Sequence, residues 1–134
     1  MPITFKIDNK AGIVYTTIDG DVGTDEILDG LKGILTHPDF RPGLNGIADL
    51  RNSNLHSFSA DVKRIANLLI EYAGKIGPSK TAILVSTNVT FGMTRMFQTF
   101  AEKSSIQTEI FQDLKDALQW LGADQEARTT SSKE

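Results

Sequence analysis

The chain has 134 residues, of which 40% are hydrophobic and 23% charged, and its formal net charge is -3. That length fits one domain with a sizeable core, and the acidic balance argues against a nucleic-acid binder, which carries a basic surplus. There is no cysteine, which excludes disulfides, thiolate metal sites and a cysteine nucleophile and fits a reducing compartment.

No stretch approaches the roughly 20 apolar residues of a membrane span. The opening Met1-Pro2-Ile3-Thr4-Phe5-Lys6 lacks the basic and then apolar pattern of a signal peptide. The expectation is a cytoplasmic protein with no transmembrane segment, with peripheral membrane contact left open.

Ile3, Phe5 and Ile7 alternate with Thr4, Lys6 and Asp8, the period-2 pattern of a half-buried strand. A turn cluster, Asp8 to Gly12, leads to a second strand through Ile13, Val14, Tyr15 and Ile18. So short a link predicts an antiparallel hairpin. Thr24 is a candidate helix cap, with Asp25 and Glu26 in the first turn and an apolar stripe of Ile27, Leu28, Leu31, Ile34 and Leu35. Gly30 and Gly33 each weaken this helix by about 1 kcal/mol relative to Ala, and close helix–sheet packing is the simplest reason for both.

Ile47, Ala48 and Leu50 predict a short third strand that ends on Asp49-Leu50-Arg51. Ser59 then caps a second helix, with Asp61 in its first turn and Val62, Ile65, Ala66, Leu69, Tyr72 and Ala73 at helical spacing. Leu68 and Ile70 widen that apolar arc to roughly half the circumference, enough to serve a neighbouring helix, a second subunit or a ligand. Gly77-Pro78 breaks the chain. Ala82 to Val85 is a continuous apolar run, as in a central strand buried on both faces. A third helix carries Met93, Met96, Phe97, Phe100 and Ala101 on one face. Ile106 to Phe111 reads as an edge strand, and Asp113 caps a last helix that ends at Gly122.

The order β-β-α-β-α-β-α-β-α predicts an α/β fold: a single mixed five-stranded sheet, antiparallel at the N-terminal hairpin and parallel afterwards, with about four helices. Residues 1–122 are expected to form the domain and 123–134 a disordered polar tail.

Chemistry-bearing motifs are sparse. There is no Walker-type or dinucleotide-binding glycine pattern. His37 and His56 lack partners at metal-ligand spacing, so no metal site is expected. Asp49, Ser53, His56 and Ser57 share one segment, but a catalytic triad needs a fixed hydrogen-bond chain, and the Gly-x-Ser-x-Gly elbow is absent. No catalytic residue and no cofactor is assigned, and the chain is read as a non-enzyme.

The strongest site is positional. Ligands of open α/β sheets bind outside the carboxyl ends of the strands. That edge offers Asp49, Arg51, Asn52 and Ser53 after the third strand, Ser57 beyond them, and Ser86, Thr87 and Asn88 after the fourth. Helix N-termini there favour an anion, and Arg95 is placed to face the same crevice. Each residue also has a structural explanation: an Asp49–Arg51 surface ion pair, Ser59 as a helix cap, and the Met and Phe stripe as core.

Asp49-Leu50-Arg51, the Phe91-Gly92-Met93-Thr94-Arg95-Met96 segment and the ending from Ile110 to Leu121, with Ala117-Leu118-Gln119-Trp120-Leu121, resemble the SpoIIAA-like proteins of the STAS superfamily, the sulfate transporter and anti-sigma factor antagonist domains. The resemblance covers about residues 3–121. It implies a mixed sheet wrapped by helices and a small bacterial regulatory or binding domain. Antagonists in the superfamily are switched by phosphorylation of a serine in an Asp-Ser-Ser-Gly-like motif, where this chain has Asp49-Leu50-Arg51-Asn52-Ser53-Asn54. Ser53, Ser57 and Ser59 are the substitute phosphosites. The fold relationship to CRAL-TRIO lipid carriers implies an apolar ligand as an alternative.

Two roles follow. The first is a non-catalytic STAS-like regulator that acts through a protein partner, as a homodimer. The second is a binder or carrier of a lipophilic or anionic small molecule, held near Asp49, Arg51, Phe91, Met93, Arg95, Met96 and Phe97.

Overall fold

Alternation of apolar and polar residues at the start of the chain produces an antiparallel pair, β1 (Ile3–Asp8) and β2 (Ile13–Gly20). The structure is a computed structural model that describes residues 3–53, 59–86 and 106–122, without the side chains of 59–62. Asp8 fastens the turn: its carboxylate accepts the Ala11 N–H at 3.0 Å and its carbonyl accepts the Gly12 N–H at 2.8 Å. Gly12 sits at φ 72°, a left-handed backbone open to a residue without Cβ.

α1 (Thr24–Leu35) starts on Gly23 rather than on the expected Thr24 cap. Glu26 reaches back to accept the Gly23 N–H at 3.1 Å, which leaves Thr24 free to turn into the core, where it is buried. The two helix glycines part company. A Cβ on Gly30 would stand 2.6 Å from Ile3 Cδ1, so this glycine does permit close packing on β1. A Cβ on Gly33 would meet nothing within 4 Å, and close packing is not its reason.

β3 (Asn45–Ser53) is longer than the apolar run alone indicated, and Asp49 and Arg51 lie inside it. α2 (Ser59–Glu71) stops before Ala73. Tyr72 leaves the helical conformation, and a single turn, α3 (Ala73–Ile76), follows to Gly77 at φ 70°. Gly74 inside that turn is a poor helix former, which suits so short an element.

β4 (Ser79–Leu84) and β5 (Ile106–Phe111) complete the sheet, and α4 (Leu114–Leu121) closes the described chain. Asp113 caps α4, accepting the Lys115 N–H at 2.7 Å, and Gly122 ends it in the left-handed conformation, both as the sequence indicates. The expected third helix around Met93 to Ala101 and the expected tail from 123 onward lie outside the described residues.

The strand order is β1-β2-β3-β4-β5, with β2 to β5 parallel. β5 is an edge, as expected. The centre belongs to β3, and β4 stands one strand from the edge. β4 is nonetheless buried on both faces because helices cover both.

Each crossover from β2 to β3 and from β3 to β4 advances the sheet in the same direction. Right-handed connections then place α1 and α2 on one face. Ile27, Leu31 and Ile65 pack there with Ile18, Leu50, Ile83 and Val85. α4 takes the opposite face, where Ala117 and Leu121 meet Ile13, Ile47, Ala82 and Leu84. Phe111 and Trp120 meet there in a tilted contact, 5.7 Å between ring centroids, with Lys80 Nζ 5.3 Å from the centre of the Trp120 ring.

Candidate functional site

Two features answer to a site. The first is the carboxyl end of β3, where sequence reasoning placed Asp49, Arg51 and Ser53. The register slips beside it: Thr17 faces Asp49, but Asp19 faces Asn52, so β3 carries one extra residue in a bulge. Leu50 points into the α1/α2 core, and its neighbours Asp49 and Arg51 grip each other. Arg51 Nε donates to Asp49 Oδ1 and Nη2 donates to Oδ2, both at 2.9 Å, and the Arg51 backbone N–H adds a third bond at 3.1 Å.

This bidentate pairing holds the Asp49 carboxyl below its ordinary range, chiefly through the Arg51 side chain and against the pull of burial. The guanidinium is raised in turn, first by the Asp49 hydrogen bonds, with the field of Asp113 at the start of α4 adding to them. The Arg51 guanidinium is thus already engaged, and an incoming anion would have to compete with Asp49 for it.

Ser53 Oγ donates to the Leu50 carbonyl at 2.7 Å, and Ser86 Oγ donates to the Arg51 carbonyl at 3.0 Å. Both hydroxyls stitch the bulge. Ser59 opens α2. Ser57, Thr87, Asn88, Phe91, Met93, Arg95, Met96 and Phe97 lie outside the described residues, as does His56.

The second feature was not legible as a site in the sequence. A half-open cavity of about 200 Å³ lies between the α1/α2 face of the sheet and the two helices. Its floor follows from β3. The positions that β3 turns toward the helices include Gly46 and Ala48, the two smallest residues available, in the first half of the central strand. Their strand neighbours on the same face are Val14 and Thr16 of β2 and Thr81 and Ile83 of β4. Ile27 and Leu31 of α1 and Ile65 and Leu69 of α2 roof the space. These branched side chains span from helix to sheet without filling the trough over Gly46 and Ala48.

Among the described residues the lining is almost wholly apolar: Thr16, Asn45, Ser79 and Thr81 are its polar members, and no charged side chain lines it. Asn45 is already engaged, its Oδ1 accepting the Lys80 N–H at 2.9 Å. The wide apolar arc of α2 divides its work: Ile65 and Leu69 face the cavity, whereas Leu68 is buried away from its lining.

Comparison with known proteins bears on the fold. No protein-family model and no curated protein matches the chain. It is similar to the crystal structure of an uncharacterized protein of the DUF3478 family with a SpoIIAA-like fold, from Shewanella loihica PV-4. The TM-score is 0.60 at 18% identity, over 89% of this chain and 91% of that one. The chain thus has a SpoIIAA-like α/β fold.

Proposed function

We propose that this domain binds a small apolar molecule in the cavity between its sheet and helices α1 and α2, without catalysing its conversion. The cavity carries the reading. Interiors are normally packed to crystal-like density, with few voids larger than a water molecule. A dry apolar cavity of about 150 Å³ binds benzene, so about 200 Å³ suits a ligand of roughly eight non-hydrogen atoms on that scale. The SpoIIAA-like fold is compatible with such a role, and the resemblance to lipid carriers agrees in ligand character.

Of the two roles set out from the sequence, this takes the small-molecule one and moves its place. The ligand lies under the helices, on the face opposite the Asp49–Arg51 pair. It is apolar rather than anionic, because the described lining of the cavity is apolar and carries no charged side chain.

Native mass spectrometry of the purified chain tests the reading. A bound mass of about one hundred to a few hundred daltons, lost on mild heating, is expected. A clean mass for a ligand-free homodimer, with no uptake of added toluene, would return the partner-protein role to first place.

A further inference from the structure

Resting on the cavity reading, one residue goes further and specifies what the ligand carries. β2 turns Val14, Thr16 and Ile18 toward the helices. The outer two are apolar and the middle one is a hydroxyl. Thr16 is only 9% exposed, and it lines the cavity beside Ala48, its register partner on β3. Among the described residues its side chain makes no hydrogen bond. A β-branched apolar residue would fill the same volume, so the hydroxyl is what distinguishes Thr16 at this position. Thr16 stands where the floor is low, next to Ala48 on β3.

We propose that the cavity takes a neutral ligand with a hydrogen-bonding oxygen, an alcohol, phenol or ketone on a compact hydrocarbon body, and that Thr16 Oγ is the group that meets that oxygen. Neutrality follows from the lining. A carboxylate or ammonium placed there would lose its hydration and find no opposite charge among the described residues.

The test is isothermal titration of the full chain with phenol, toluene and benzoate, for the native protein and for Thr16→Val. Phenol and toluene are expected to bind the native protein, and benzoate to bind at least a hundredfold more weakly than phenol. Thr16→Val is expected to weaken phenol fivefold to tenfold, the equivalent of one hydrogen bond, while toluene stays within twofold or binds more tightly. Thr16→Ser, which keeps the hydroxyl, is expected to retain phenol binding within about threefold, and it serves as the folded control if the valine variant fails to fold. Unchanged phenol affinity in Thr16→Val, with toluene still bound, would overturn the role of Thr16 and leave the cavity reading intact. Benzoate binding as tightly as phenol would overturn neutrality. Failure of both phenol and toluene would overturn the cavity reading and this inference with it.

Discussion

The two faces of the sheet are built from the same strands yet packed in opposite ways. Toward α4, Ile13, Ile47, Ala82 and Leu84 are sealed, none more than 2% exposed. Toward α1 and α2, the same central strand presents Gly46 and Ala48, and a cavity of about 200 Å³ stands over them. The residue next to each of these on β3, Ile47, points the other way and is 2% exposed. The difference lies in side-chain volume at alternate positions of one strand, since the backbone supporting both faces is shared. One face is filled for stability, and the other leaves room at the cost of dispersion contacts that a filled core would make.

The largest expected effect breaks the sealed face. Leu84→Ala should destabilise the chain by about 3 kcal/mol, the usual cost of a cavity where neighbours cannot collapse, measured by urea denaturation. The next sharpens the contrast by adding volume on each side. Ala82→Ile, at a position 0% exposed, should cost about 2 kcal/mol through overpacking. Ala48→Ile should cost less than about 0.5 kcal/mol, because the added atoms enter existing space, and it should abolish toluene binding. Equal penalties at the two positions would contradict the comparison.

A smaller effect concerns the Asp49–Arg51 clasp, which lies on the α4 side of β3. Asp49 has a folded-state pKa below its unfolded value. Its contribution to stability is therefore fully present above the unfolded pKa of about 3.9 and is lost as the pH falls through the folded value. With the two side chains 37% and 22% exposed, screening keeps the pair near 1 kcal/mol. Asp49→Asn should lower stability by about that amount at pH 7, and the gap between native and variant proteins should close as denaturation is measured progressively below pH 4.

The smallest effect is in α1. Gly33→Ala, with nothing near its added methyl, should stabilise by about 0.5–1 kcal/mol through helix propensity. Gly30→Ala should give back most or all of that gain, because its methyl would press on Ile3. Thermal denaturation of the two variants side by side checks the ordering.

Much of the fold was legible because its signals are local. The hairpin is written in the alternation of Ile3 to Asp8 and the turn at Asp8 to Gly12. The edge strand Ile106–Phe111, the Asp113 cap and the Gly122 stop also read directly from neighbouring residues. Thr24 misled because Ser, Thr, Asp and Asn at a helix start usually cap it, whereas here Glu26 closes the first turn onto Gly23 and releases Thr24 to the core. Strand order was not legible, since any right-handed βα unit can be laid down on either side of its predecessor.

The candidate site divides along the same line. Asp49 and Arg51 are two apart on one strand, and their mutual contact followed from strand periodicity. The cavity gathers residues of β2, β3, β4, α1 and α2, each of which looks like ordinary core in its own segment. The signal that could have found it was Gly46 and Ala48 at alternate positions of one strand. Two small residues on one face predict a trough, but only knowledge that β3 is central tells that the trough is roofed.

The most direct measurement of the central claim is a titration of the isotopically labelled chain with toluene, followed through its backbone amide and methyl NMR signals. Saturable shifts are expected at Gly46, Ala48, Thr16, Ile83 and Leu69, with Ala82, Leu84 and Ala117 on the sealed face unmoved. Shifts that are absent at saturating toluene, or that fall on the α4 face instead, would contradict that claim.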